Sequence, residues 1–415
     1  MNEIKIPKIE SKIEDENVKN FLNFLIVNAF TSRFSTNSRN NYYIRNQNNY
    51  DNDDDEYNDN KNFNFSIMYF KKETLNKAYE ILNEIGKNIN KLEELQKSKK
   101  NLTISEKELT NQTSKFNQNL EETKECHKKI LNYSNQYYEL MPFKNEINEF
   151  ISPINTLNNL KKEIDKCKSY NYIENTLKIF LGSLNHINTI NPIDYIYESL
   201  GIKIKSLDLK EKKSIAKILI EYIKDTYDST KYGITNIFEI EKSNNDLKFN
   251  PENKKNVILL FHGTKIQNLL GILSQGLLIA PIEASSTGAS YGNGIYLSDY
   301  FSKATNYSDF NINNKGYVLI VECALGNYLK LNEKKNFVSV ENLKKNGYDS
   351  IISDSKEKRD IDVLLYLSNG LKIPTYNNEK EKNNNYYKPK YAEYVVYNEN
   401  LVRVKYIVEI GTENK

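Results

Sequence analysis

The chain reads as an α+β protein, with an all-helical N-terminal part followed by a mixed α/β part with antiparallel sheets. Two observations predict this. From Glu14 to Leu184 the apolar residues recur at helical spacing, whereas from Ile234 onward they alternate with a period of two. Between these regions, Gly182 to Pro192 interrupts the helical pattern, so the division is expected near residue 187, giving units 1–187 and 188–415. A length of 415 residues is enough for each unit to bury a core of its own.

The first helix is expected over Glu14 to Phe30, where Val18, Phe21, Leu22, Phe24, Leu25 and Ala29 make one apolar stripe. Residues 35–64 are dense in Asn and Asp with scattered Tyr and offer little to pack, which predicts a disordered insertion loop. Helical spacing returns from Leu75 to Met141, with Thr74 as the expected N-cap and Leu75, Ala78, Tyr79, Leu82 and Ile85 on one face. Within this region, residues 91–124 are almost wholly Lys, Glu, Asn and Gln, with Leu92, Leu95, Leu102 and Leu109 spaced near seven. A charged, solvated helical hairpin is expected there; a coiled-coil partner site would need more apolar a and d positions.

A further helix is expected over Ile154 to Leu184, with Leu157, Leu160, Ile164, Ile173, Leu177 and Phe180 inward. Another should run from Leu209 to Tyr227 behind Asp208 as N-cap, burying Ile215, Ile218, Leu219 and Ile223. The alternating segments Ile234 to Glu241, Val257 to Phe261, Tyr317 to Ala324, Ile361 to Leu367, Tyr391 to Tyr397 and Leu401 to Glu409 read as strands, with a short helix over Lys265 to Gln275.

Composition excludes several functions. Hydrophobic residues are 39% and charged residues 27%, in the globular range. A formal charge of +3 with mixed signs gives no electrostatic argument for nucleic acid. The three cysteines, Cys126, Cys167 and Cys323, have no paired spacing, and only His127 adjoins one of them, so neither a disulfide framework nor a metal site is expected. Met1 to Pro7 lacks an apolar signal core and no apolar run approaches 18 residues, so the chain is expected to be neither secreted nor membrane-spanning.

Three residues in strand-like contexts carry the chemistry. His262 ends an apolar strand and precedes Gly263; a histidine so placed is ordinarily a satisfied structural group. A glycine beside it, however, lets a planar ligand reach the backbone N–H and C=O, which suits a carboxamide. Gly292-Asn293-Gly294-Ile295-Tyr296 lacks the third glycine of a dinucleotide fingerprint and leads into a strand, so a Rossmann site is rejected. Its glycines instead allow a tight turn that delivers Tyr296 to a cleft. A short helix over Asp299 to Tyr307 would then set Tyr307 opposite Tyr296 across a flat ring. Glu393 lies in the alternating stretch Tyr391 to Tyr397, and its neighbours Tyr391 and Val395 suggest a partly covered face.

These words resemble the catalytic domain of the poly(ADP-ribose) polymerases, in the DNA-damage-responsive branch. The similarity rests on His262-Gly263-Thr264, Gly271 to Leu277, Ile279-Ala280-Pro281, Gly292 to Tyr296, Ser302-Lys303, Asn306-Tyr307 and Ala324 to Asn327. Asn191 to Asp194 and Ile237 to Ile240 look like the start of that domain, and Ala78 to Leu82 with Tyr137 to Pro142 resemble the family's regulatory helical domain. The resemblance implies an ADP-ribosyltransferase domain over 188–415 and NAD+ as substrate, with no bound cofactor and no metal. It also implies transfer of ADP-ribose to acceptor proteins and to the chain itself, and polymer formation.

By the same resemblance, His262 would hold the adenosine-side ribose, Gly263 the nicotinamide amide, and Tyr296 and Tyr307 the nicotinamide faces. Thr264, Asn268, Gly271 and Ala304 would line the NAD site, and Lys303, Tyr391 and Ser290 the acceptor side. Glu393 would bond the nicotinamide-ribose 2′-hydroxyl and polarise the acceptor. A glutamate there favours elongation over single transfer.

Several positions depart from the pattern. Ala304 stands where the family has a serine bonding the amide, Leu278 where an arginine commonly lies near the adenosine, and Ser290 where a larger apolar residue is usual. Acidic residues that the family turns from its helical domain toward NAD are not recognisable in this chain, where Lys168 and Tyr172 fall near that place. Single transfer, or a degenerate NAD-binding or ADP-ribose-binding scaffold, therefore stays open beside polymer synthesis. Trp is unused and no DNA-binding module is recognisable, so DNA-linked activation has no sequence support. The resemblance points to the nucleus, the cytoplasm being the alternative; Lys97 to Lys100 falls short of a clear import signal.

Overall fold

A computed structural model describes residues 9–31, 72–100, 109–141, 152–228, 232–242, 249, 255–280, 291–310, 314–331, 340–355, 360–375 and 390–411. The predicted loop 35–64 lies outside them, as does Ser290.

Among the described residues, five helices come first: α1 (Glu16–Thr31), α2 (Lys72–Lys100), α3 (Leu109–Leu140), α4 (Leu157–Asn185) and α5 (Pro192–Ser199). Helix α4 starts at a Thr156 N-cap whose hydroxyl accepts from the Asn159 N–H at 3.1 Å. Helices α2, α3 and α4 share one core, in which Leu75, Tyr79, Leu82 and Ile85 meet Ile130, Tyr137, Leu160 and Ile164. The charged segment is less solvated than its composition suggests. Leu92 is buried and Lys91 reaches Glu122 at 3.0 Å, so the core stripe of α2 continues into it, while Leu120 stays exposed. Thr74 lies inside α2, two residues beyond its start, and not at its N-cap.

Helix α1 joins a different core. Its stripe of Val18, Phe21, Leu22 and Leu25 packs with sheet residues, and Phe21 stacks on Phe238 with ring centroids 4.5 Å apart. Asp15 ties the same end down by accepting from the Ser206 hydroxyl at 2.7 Å.

The second half is built on a five-stranded antiparallel sheet in the order β1-β2-β11-β5-β3, formed by β1 (Ile202–Ser206), β2 (Gly233–Lys242), β3 (Val257–Gly263), β5 (Gly316–Ala324) and β11 (Val402–Gly411). The near-continuous apolar runs of β3 and β5 follow from burial on both faces. Ile258, Leu260, Leu319 and Val321 face the core with α1, whereas Leu259, Phe261, Val318 and Ile320 face that of α6 (Ile215–Lys224).

A second sheet, ordered β4-β10-β7-β6, comprises β4 (Ile295–Leu297), β6 (Tyr328–Lys330), β7 (Ser350–Ile352) and β10 (Tyr394–Val396); its pairs are antiparallel except β6 and β7, which run parallel. Among the described residues, a hairpin of β8 (Asp360–Tyr366) and β9 (Lys372–Thr375) completes the strands. The helices α7 (Leu269–Gln275), α8 (Phe301–Thr305) and α9 (Val340–Lys345) are short.

Three expectations are corrected. Helix α6 begins at Ile215 behind a Ser214 N-cap, because Asp208 instead closes a local turn by accepting from the Lys210 N–H at 2.9 Å. The segment expected as one helix from Lys265 splits into a 3-10 turn, Ile266–Asn268, and α7. Strand β10 is only Tyr394–Val396, so Glu393 precedes it, while β3 extends through His262 and Gly263.

The two sheets meet at the end of β3. Phe261 N–H donates to the Ser298 carbonyl at 2.7 Å and Ser298 N–H returns a bond to Phe261 at 2.9 Å, so β3 and β4 are pinned one residue before His262.

Candidate active site

That seam brings His262, Tyr296 and Glu393 to one cavity of about 260 Å³. His262 is fixed by a 2.9 Å contact between Nδ1 and the Tyr296 carbonyl. Since a carbonyl only accepts, Nδ1 carries the proton, and Nε2 of the neutral ring remains an acceptor. Burial pushes the His262 pKa below its ordinary value; the bond to Tyr296 opposes the shift and the Lys168 charge adds to it. The ring is therefore neutral near pH 7.

Tyr296 sits at the centre of β4, opposite Val395 of β10. Its hydroxyl donates to the Gly292 carbonyl at 2.8 Å and accepts from the Tyr291 N–H at 3.2 Å, so the glycine turn that precedes β4 locks the ring it delivers. Tyr307 follows α8 and is 48% exposed. Both rings line the cavity.

Glu393 is held at both ends. Its N–H donates to the Ser353 hydroxyl at 2.8 Å and its carbonyl accepts from the Ser353 N–H at 2.9 Å, which extends the β7–β10 ladder by one residue. Its carboxylate meets Lys303 Nζ at 2.9 Å, both side chains being about a fifth to a quarter exposed (21% and 24%). For Lys303, burial opposes the charge but the Glu393 carboxylate outweighs it, and the pKa is raised. The pair is thus a carboxylate facing an ammonium at the cavity wall.

Gly263 has no room for a side chain: a Cβ built there would lie 1.8 Å from the Ala304 carbonyl oxygen. The close approach leaves backbone polar groups next to the cavity, with Ala304 and Tyr307 as its neighbours. Deeper in the wall, Asn268 donates to the Thr264 hydroxyl at 3.2 Å, while its buried Oδ1 has no hydrogen-bond partner. A buried acceptor with no donor costs stability unless a ligand donor meets it.

His262, Gly263, Thr264, Asn268, Tyr296, Lys303, Ala304, Tyr307 and Glu393 are all brought to this cavity. Gly271 is not part of its wall; it packs beneath Tyr172, whose Cβ would stand 2.6 Å from an added methyl. Tyr391 also lies outside the wall, bonded to Asp228 and tilted against Tyr300 at 5.0 Å. Sequence reasoning missed Ser353, whose role depends on strand register, and most of the α4 wall: Lys161, Ile164, Asp165 and Ser169 line the cavity beside Lys168 and Tyr172. Their i, i+3, i+4 and i+7 spacing marks one helix face, but nothing in that pattern says which neighbour the face meets.

Among the described residues, no group of three or more His, Cys, Asp or Glu side chains is disposed to hold a metal, and no helix is long and apolar enough to cross a membrane. Cys126, Cys167 and Cys323 are free and buried.

Comparison with known proteins gives the geometry its context. Residues 213–412 match the poly(ADP-ribose) polymerase catalytic domain, and residues 46–197 match the regulatory domain of the same family. Poly [ADP-ribose] polymerase 1 of Danio rerio is 32% identical over 291 residues, covering 68% of this chain and 27% of that protein. Its Gallus gallus counterpart is 32% identical over 288 residues, with coverage of 68% and 27%. Poly [ADP-ribose] polymerase 2 of Homo sapiens is 30% identical over 267 residues, 62% of this chain and 44% of that protein. The chain thus spans roughly a quarter to under half the length of these relatives. With both domain matches falling in the order that the fold presents them, and with the catalytic-domain match spanning His262, Tyr296 and Glu393, this chain belongs to the poly(ADP-ribose) polymerase family.

Proposed function

We propose that the chain is an NAD+ ADP-ribosyltransferase which breaks the nicotinamide–ribose bond and transfers ADP-ribose to proteins, itself included, building polymer. The observation that carries this reading is the meeting of His262, Tyr296 and Glu393 at one cavity in a chain of this family.

In this reading nicotinamide lies between Tyr296 and Tyr307, with its carboxamide on the Gly263 backbone. Nε2 of His262 accepts from a hydroxyl of the adenosine-side ribose, and Asn268 Oδ1 from another ligand donor. When the C1′–N bond breaks, its electron pair leaves with nicotinamide and C1′ acquires oxocarbenium character. The Glu393 carboxylate, bonded to the 2′-hydroxyl, stabilises that charge and orients the acceptor, whose oxygen forms the new bond to C1′ as its proton is lost. Lys303 keeps the carboxylate aimed, and Ser353 fixes its backbone.

The chain divides in this proposal into a helical regulatory unit of residues 1–187, with α1 docked on its neighbour, and a catalytic unit of residues 188–415. A nuclear location and DNA-linked activation belong to the same proposal on family grounds. Incubation with NAD+ labelled in its adenylate half, followed by gel electrophoresis, tests the reading. A labelled smear is expected; a discrete labelled band would mean single transfer, in line with Ser290, and no label would favour a binding scaffold.

Two further outcomes are expected. Because the His262 pKa lies below its ordinary 6.5, kcat/KM should hold level as pH falls through about 6.5 and decline only below it; a pH–rate profile checks this. Ala304→Ser should supply the missing hydroxyl to the carboxamide. One neutral hydrogen bond contributes about 0.5–1.5 kcal/mol, so nicotinamide should bind roughly two- to tenfold more tightly in competition assays.

A further inference from the structure

Lys303 and Glu393 meet at the cavity wall but are carried by two separate segments, α8 and the chain entering β10. Asp228, which follows the end of α6 and lies outside the wall, holds both. Its N–H donates to the Ser302 hydroxyl at 2.7 Å, one residue before Lys303. Its carboxylate accepts from the Tyr391 hydroxyl and, at 2.6 Å, from Lys390 Nζ, just before Glu393 in the chain.

These bonds close a circuit. From Asp228 it runs through Ser302 to Lys303, across the 2.9 Å ion pair to Glu393, and back along Ala392 and Tyr391 to the Asp228 carboxylate. Neither segment can move alone without stretching one of the non-covalent links. Around the circuit, the Ser302 N–H donates to the Thr226 carbonyl at 3.0 Å, and the Ser298 hydroxyl donates to the Ala392 carbonyl at 3.1 Å. Main-chain bonds thus set the path of both segments, and Asp228 adds a side-chain hold on Tyr391, whose ring also lies 5.0 Å from that of Tyr300.

The charges suit this geometry. Lys390 and then Tyr391 hold the Asp228 carboxyl below its ordinary pKa, while burial and then Asp228 push the Tyr391 phenol up. Near pH 7 the phenol therefore keeps its proton and donates to a carboxylate, which makes the bond charge-assisted. The Asp228 and Lys390 side chains are 50% and 57% exposed, and an ion pair so open to water contributes little to folding stability. Its place between the two carriers of the Lys303–Glu393 pair gives it a different use.

We propose that Asp228 is a positioning residue: by holding Tyr391 and Ser302 it keeps the Glu393 carboxylate and the Lys303 ammonium in register at the cavity, without touching the substrate. This rests on the reading that Glu393 stabilises the cation at C1′ of NAD+. Misplacing a catalytic group by about 1 Å can cost roughly 100-fold in rate, so a contact that matters little to the fold can still govern turnover. Tyr391 then acts from behind the wall, as the anchor of Glu393.

Turnover of NAD+ and calorimetric binding of nicotinamide, both measured on the whole chain, test this role. Asp228→Ala should lower kcat by about tenfold or more. Alanine keeps the main-chain bond to Ser302, so α8 stays in place and nicotinamide should bind within about twofold of wild type. Asp228→Asn, which retains an acceptor for the Tyr391 hydroxyl, should recover most of the lost turnover. In Glu393→Gln no carboxylate remains to be aimed, and adding Asp228→Ala there should slow turnover by less than about twofold. Full turnover in Asp228→Ala overturns the proposal, as does an absence of recovery in Asp228→Asn. So does a loss just as large in the Glu393→Gln background, which would place the effect elsewhere than Glu393. An equal loss of kcat and of nicotinamide affinity also overturns it, since Asp228 would then merely support the shape of the cavity. A wild-type chain that releases no nicotinamide from NAD+ overturns the underlying reading instead, and the positioning role with it.

Discussion

Glu393→Gln should slow NAD+ consumption on the order of 100-fold or more while leaving ligand affinity near that of wild type. Glutamine keeps the size and one acceptor oxygen, but it removes the fixed negative charge facing the cation that develops at C1′. It also strips Lys303 of its 2.9 Å partner and leaves an ammonium at the cavity wall, which adds repulsion to the same transition state. The backbone clasp with Ser353 involves only main-chain atoms of residue 393, so the fold should be retained. Steady-state turnover beside calorimetric binding separates the two effects. A matching loss of affinity would mean that Glu393 acts in ground-state binding.

Gly263→Ala should weaken nicotinamide binding and lower thermal stability together. The added Cβ would meet a backbone oxygen, that of Ala304, at 1.8 Å, and no flexible side-chain tip can give way. Either β3 or the α8 turn must move. Overpacking of this kind costs about 1–3 kcal/mol. Moving α8 also displaces Ala304, Lys303 and Tyr307 from the cavity, so nicotinamide affinity should fall by at least about tenfold. Differential scanning calorimetry with nicotinamide titration checks both. Wild-type affinity in this variant would remove the carboxamide from Gly263.

What could be read from sequence follows physical rules. Helices α1 and α4 and strands β3, β5 and β11 were legible because each carries a long apolar pattern or run, which burial requires. The three-residue strands β4, β6 and β7 were not, since so short a stretch has no measurable period, and β10 could be seen only as part of a longer stretch. Asp208 and Ser214 are equally good N-cap types, and the local turn at Lys210 decided between them.

The chemistry on β3 and β4 was legible because glycine spacing announces close backbone approach. Gly271 illustrates the limit of that signal: the close approach is real, but the partner is Tyr172 of α4 rather than a ligand. Lys161 and Asp165 carry no local signal that distinguishes them from other charges of an amphipathic helix. Only the docking of Tyr172 and Asn175 turns them toward the cavity. Likewise, the apolar stripe of α1 predicted burial but not its partner, and it was Phe238 of the sheet that received Phe21.

The central claim is that this cavity cleaves the nicotinamide–ribose bond. Its most direct test is a mass balance on NAD+ incubated with the chain, with free nicotinamide, residual NAD+ and protein-bound ADP-ribose quantified together. The account predicts that nicotinamide appears in step with NAD+ loss and that ADP-ribose is recovered covalently on protein. NAD+ that binds, yet is recovered intact with no nicotinamide released, would contradict it.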